Sequence, residues 1–122
     1  MALTALAGPL SNLLLAALAA VLWRAGSSLM PDFIEQVHIE FIWINIILAL
    51  FNMIPIPPLD GSKVLMGIAP LSWVNTLAQL EPYGMYIFLA LILLPRLSGF
   101  DLIGLLIGGP ALLLLRLLTG LW

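Results

Sequence analysis

Asp60 stands next to last in the stretch NMIPIPPLDG, residues 52–61, at the end of one of the most apolar parts of the chain. An acid within a membrane segment marks a ligand site by default and calls for a partner. Asn52, in the same stretch, can hydrogen-bond a freed carbonyl or a ligand. Pro55, Pro57 and Pro58 lie between them. Each proline lacks an N–H, and each disfavours α-helix at the residue before it. The preceding helix is therefore predicted to stop near Ile54, and IPIPP to run extended, close to polyproline II. Carbonyls of the last helical turn then lose their partners. In hydrocarbon each such group costs several kcal/mol, so the backbone survives only where protein buries it or a wet cavity borders it. The same residues also fit a plainer role: Asp60-Gly61-Ser62-Lys63 reads as a helix N-cap. An aspartate can cap with one oxygen and offer the other elsewhere, so both roles stand.

Other candidates are weaker. In AGPLSN, Gly8-Pro9 loosens a helix near its start, and Gly8, Asn12 and Ala16 recur at four-residue steps. Small residues at that spacing admit a neighbouring helix, with Asn12 available to hydrogen-bond across the contact. His38, the one histidine, sits in EQVHIEF at a membrane interface and reads as a surface residue. A zinc site needs several converging ligands. Glu81-Pro82-Tyr83 reads as a helix start, where the dipole favours an acid. With no cysteine, disulfides and thiolate metal sites are excluded.

The elements that must position these groups are membrane helices. The 122 residues are 63% hydrophobic and 8% charged, against about 25% charged in a soluble domain. An integral membrane protein follows, and with roughly 20 residues per span the length admits about four. The fold class is all-α and polytopic, one membrane domain over residues 1–122, with one helix broken at the Pro-rich extended segment. The net charge of −2 and the absence of a Lys/Arg cluster give no nucleic-acid or anionic-headgroup signal. An uncharged start without a small-residue cleavage pattern argues against a cleaved signal peptide.

Span one is predicted over Ala2–Trp23, closed by an interfacial Trp23-Arg24 pair. Residues 24–36 read as an exposed loop. Span two builds from about Val37 through FIWINIILALFNMI, with Asn45 and Asn52 on one face. Residues 62–81 are amphipathic and read as two short interfacial helices split at Pro70. Span three starts near Pro82 and is short before Pro95, so it extends through Leu97 or borrows length from the helix before it. Span four covers about Phe100–Leu118, with a kink site at Gly108-Gly109-Pro110. Alternating crossings put Arg24 and Arg96 on one side and Lys63 and Arg116 on the other, which leaves orientation undecided by charge.

ALAGPLSNLLLA, LFNMIPIPPLDG and LEPYG, in this order and at these separations, closely resemble the C-terminal membrane half of the site-2 protease family. These are intramembrane zinc metalloproteases, and the short bacterial or archaeal type is the nearest in pattern. The resemblance implies that Asp60 is a ligand of the catalytic zinc. It implies that Asn52, Pro55, Pro57 and Pro58 shape the substrate cleft, where an extended Ile54–Leu59 pairs with an unwound substrate by strand addition. Gly8, Pro9 and Asn12 belong to the helix packed on the metal-bearing one, and Gly61 to the aspartate's motif. The family's His-Glu-x-x-His, carrying two zinc ligands and the catalytic glutamate, occurs nowhere in these residues. No catalytic residue is therefore assigned here.

The expectation is the C-terminal part of a zinc metalloendopeptidase that cleaves transmembrane segments in regulated intramembrane proteolysis. The chain reads as a truncated product or an incompletely read gene, inactive alone, with two zinc ligands due from a missing N-terminal half or subunit. The implied partners are the lipid bilayer and transmembrane substrates, and the implied location is a prokaryotic cell (inner) membrane. The alternative is a non-catalytic scaffold, a degenerate relative that holds hydrophobic segments without cutting them. A small transporter or channel subunit would also explain a broken helix, but not the motif order.

Overall fold

The computed structural model describes residues 2–56 and 59–120, and within these the chain is helix and turn with no strand. Its helices are α1 (Ala2–Gly26), α2 (Asp32–Asn52), α3 (Asp60–Ile68), α4 (Leu71–Leu80), α5 (Gly84–Ser98) and α6 (Leu102–Thr119). As expected, four helical segments are long and apolar enough to cross a membrane, with α4 and α5 counted together as Leu71–Ser98.

α1 and α2 form an antiparallel pair joined by a tight connection. The predicted loop over residues 24–36 shrinks, because α1 runs on to Gly26 and a 3-10 turn covers Ser27–Leu29. Pro31, extended at φ −60° and ψ 148°, starts α2 five residues before Val37, and Asp32 and Glu35 occupy its first turn. Acids there are favoured by the unpaired N–H groups of a helix start. That local gain outweighs the polar composition that made the segment look like loop.

The pair packs through small residues. Ala16, Ala19 and Ala20 of α1 meet Ile42 and Ile46 of α2, and Ile107, Ala111 and Leu115 of α6 complete the buried cluster. Alanines let the backbones approach, which matters where lipid removes the hydrophobic drive and contact area does the holding. Ile42 and Ile46 are fully buried, so Ile46→Ala is expected to cost about 2–5 kcal/mol. Pro9 sits inside α1 and is buried without ending the helix.

α3 and α4 are the two short helices split at Pro70, as the composition implied; Ala69 and Pro70 are both extended there. α5 alone has 15 residues, about 22 Å of helix, too short for a hydrocarbon core of about 30 Å. It gains length both ways that the sequence allows. It runs to Ser98, and a 3-10 turn over Glu81–Tyr83 joins it to α4. This segment is peripheral: α4 buries no residue and α5 only Gly84, although Phe88 meets Phe51 of α2 edge to face at 5.7 Å.

α6 passes through Gly108-Gly109-Pro110 as one helix, from an Asp101 cap to Gly120 at φ 70°. Its direction corrects the alternating arrangement. Arg24 Nη2 donates to the Leu117 carbonyl at 3.1 Å, so the C-terminal turns of α6 and α1 meet. Arg116 therefore belongs to the Arg24 end, and the Arg24 guanidinium terminates α6 as a cation at a helix C-terminus does.

Candidate metal-ligand site at the broken helix

The break after α2 is made of turns. Met53 N–H closes back on Ala49 and Leu50, and Ile54 N–H on Phe51 at 3.2 Å. Ile56 N–H donates to Ile54 O at 2.8 Å, and Leu59 N–H to Ile56 O at 2.9 Å. The carbonyls that the prolines were expected to orphan are thus partly reclaimed by local N–H groups. Leu59 itself is extended at φ −73° and ψ 154°. Ile54 is buried and Pro55 exposed. Pro57 and Pro58 lie outside the described residues.

The chain then folds back against the end it has just left. A Cβ added at Gly61 would overlap the Met53 carbonyl and come within 2.5 Å of Ile54 O. Only a glycine lets α3 start this close to the end of α2. Asp60 is the first residue of α3, while the cap position belongs to Leu59, with no side-chain cap bond. Ser62 takes the local bonds instead: its N–H and its hydroxyl both donate to Leu59 O, at 3.2 and 2.8 Å. The capping role for Asp60 is not realised. Among the described residues its half-buried carboxylate has no hydrogen bond and no ion pair.

That carboxylate lies against the first turns of α1. A Cβ on Gly8 would sit 3.2 Å from Asp60 Oδ2. Thr4 and Ala5 of α1, with Asp60 and Lys63 of α3, line an open depression of about 240 Å³. Pro9, one residue beyond Gly8, has no N–H to offer the carbonyl of Ala5 four residues back. Asn12, a turn further along α1, is half-buried and makes no side-chain hydrogen bond among the described residues, so the expected cross-helix bond is absent. Asn52 is half-buried as the last residue of α2, and its amide is likewise uncommitted. Asn45, on the same face, is buried but satisfied within its helix, Nδ2 donating to Phe41 O at 2.9 Å.

The chemistry available is that of one carboxylate without a hydrogen bond or ion pair among the described residues. No group of three His, Cys, Asp or Glu converges among the described residues. A catalytic zinc takes three protein ligands and a water, so these residues do not by themselves fit that ion. His38 is elsewhere and engaged: its Nε2 lies 2.6 Å from Ala19 O of α1, as donor to that carbonyl, in a groove lined by Leu15, Leu22 and Phe41. The reading of His38 as a surface residue is corrected to a half-buried link between α1 and α2. Sequence reasoning also missed the Arg24 contact with α6; neither carries a local spacing signal, because each partner is a distant backbone carbonyl.

No solved structure matches the chain. A Bacillus subtilis (strain 168) protein named "Putative zinc metalloprotease YwhC" is 36% identical over 100 residues, covering 76% of this chain and 46% of that protein. A Methanocaldococcus jannaschii protein named "Putative zinc metalloprotease MJ0611" is 42% identical over 85 residues, covering 67% of this chain and 41% of that protein. The chain thus spans about half the length of the curated relatives it matches. The model of Peptidase family M50 matches residues 24–95, from the end of α1 through α2, the broken segment, α3, α4 and most of α5. With more than half of the chain covered, and Asp60 at the centre of the match, the chain belongs to peptidase family M50, the site-2 protease family.

Proposed function

We propose that this chain is the C-terminal membrane part of an intramembrane zinc metalloendopeptidase that cleaves transmembrane segments, and that Asp60 is its contribution to the zinc. One observation carries the reading. A carboxylate stands uncommitted at a helix break inside the matched region, held against α1 where glycine leaves room for it. One donor is too few for zinc, so the remaining ligands, two histidines by the family's pattern, come from residues outside this chain. The coverage of less than half of each relative supports that division. Zinc, when bound, would supply a Lewis acid and an activated water.

The cleft residues are Asn52 and Pro55, with Pro57 and Pro58 by sequence. Folded into turns, Ile54–Leu59 offers a substrate single carbonyls and not the strand edge that an extended run would have given. Every N–H in this stretch is either absent, at the three prolines, or already donated at Ile54, Ile56 and Leu59. The segment therefore accepts and does not donate, and an unwound substrate would supply N–H groups to carbonyls such as that of Pro55. The location that follows is a prokaryotic cell (inner) membrane, supported by one bacterial and one archaeal relative.

The test compares the intact protein, carrying the histidine motif, with its Asp60→Asn variant. The expected result is about one zinc per molecule in the parent, and loss of both zinc and cleavage of a single-span substrate in the variant. Retention of both by Asp60→Asn would remove Asp60 from the metal site. A second reading, a non-catalytic scaffold for hydrophobic segments, is favoured by the absence of a three-donor group among the described residues. It predicts that the intact gene product binds single-span partners without stoichiometric zinc.

A further inference from the structure

We infer that Gly8 is a positioning residue for the Asp60 carboxylate, an inference that rests on the proposed role of Asp60. Gly8 lies in the body of α1, seven residues into a regular helix, where no positive φ calls for glycine. Glycine is also the poorest helix former after proline. Conformation therefore gives no reason for glycine at this place, and what remains is the space it leaves. Opposite that space is Asp60 Oδ2, 3.2 Å from where a Cβ would stand. That separation is tighter than ordinary Cβ contacts, so a methyl group at residue 8 forces the carboxylate to yield by a few tenths of an ångström.

The carboxylate has little else to yield with. Its backbone has little room to shift, because Gly61 rests on the Met53 and Ile54 carbonyls. The movement therefore falls on the Asp60 side-chain torsions, which leave their staggered wells or swing toward Thr4 and Lys63 across the depression. Ligand geometry tolerates about 0.5 Å, so a shift of this size would be felt by a metal, and the off-rotamer torsion it requires is felt by the fold. The two glycines divide the work: Gly61 fixes where Asp60 starts, and Gly8 fixes where its oxygen ends. Gly108 and Gly109 of α6, with open space around them, have no such role.

The experiment is a double-mutant cycle on this chain in detergent micelles: parent, Gly8→Ala, Asp60→Ala and the pair. If Gly8 makes room for the carboxylate, Gly8→Ala lowers the melting temperature when Asp60 is present. It leaves it unchanged or raises it when the side chain is cut to Ala, because alanine is the better helix former. A non-additivity of about 3–5 °C is expected; additivity within about 1 °C overturns the inference. Should Gly8→Ala fail to fold, folding of the double variant supports it and failure of both overturns it. A second readout reports position directly. The ¹³C resonance of the Asp60 carboxyl, assigned through its loss in Asp60→Asn, should move in Gly8→Ala and stay in Gly109→Ala; no movement in Gly8→Ala overturns the inference. The zinc assay on the intact protein keeps the two ideas apart. A coupled cycle with zinc retained in Asp60→Asn sinks the ligand role and leaves the positioning. An additive cycle with zinc lost does the reverse.

Discussion

Two aspartates stand at helix starts in this molecule, and they are used in opposite ways. Asp101 precedes α6 at φ −105° and ψ 88°, and its Oδ1 accepts the Gly104 N–H at 2.9 Å. Asp60 has entered α3 as its first residue, one position too late to cap, and its carboxylate turns to α1 instead. In sequence the two look alike, each an acid with a glycine close behind it. The difference is that Asp101 spends its charge on its own helix, while Asp60 leaves its charge available. A helix start that withholds its capping group from its own backbone is a place to look for a ligand.

The comparison breaks most violently at Gly61. Gly61→Ala sets a methyl into the Met53 carbonyl, and both neighbours are backbone. Overpacking in a core costs about 1–3 kcal/mol and more where nothing can give, so a loss above about 3 kcal/mol is expected. Reversible unfolding in mixed micelles measures it, and a loss below about 1 kcal/mol would show that the α2–α3 junction is looser than drawn. Asp101→Ala comes next. It removes a real cap and should cost about 1 kcal/mol by the same assay, with amide exchange rising selectively in the first turn of α6.

At the other end of α6, Arg24→Ala removes the guanidinium from the Leu117 carbonyl. The group is exposed, so about 0.5 kcal/mol is expected, with fraying confined to the last turn of α6. This end shows the opposite economy to the Asp60 end, since Arg24 and His38 both bond backbone carbonyls. At this end the buried indole Nε1 of Trp23 lacks a hydrogen-bond partner among the described residues.

Much of this was legible in the residues. Apolar length gave the spans, Pro70 gave the split between α3 and α4, and the short apolar run before Pro95 gave the dependence of α5 on α4. Gly8 and Asp60, 52 positions apart, were tied to one site by a motif resemblance that had no means of stating the contact. What escaped had long-range or competing causes. The turn between α1 and α2 hid behind polar residues that in fact favour a helix start. The direction of α6 depends on Arg24 meeting a carbonyl 93 residues away, which hydropathy does not encode. The Pro-rich break was expected to run extended because prolines remove donors. The donors beside them, Ile56 and Leu59, were enough to fold it into turns.

Asp60→Asn, with an expected effect on stability as small as that of Arg24→Ala, is the sharpest test of the contrast. The side chain makes no hydrogen bond or ion pair among the described residues, so its removal breaks none. What the charge contributes to α3 is its interaction with the helix dipole, about 0.3–1 kcal/mol at an exposed site. Asparagine keeps the volume beside Gly8 and should not disturb the packing there. The expected cost is therefore about 0.5 kcal/mol, half that of Asp101→Ala, with circular dichroism unchanged. In the intact protein the same variant should lose zinc. A group whose loss costs the fold almost nothing while abolishing a ligand is held in place for that ligand. If Asp60→Asn instead destabilises as much as Asp101→Ala, the carboxylate has a structural partner and the distinction between the two helix starts collapses.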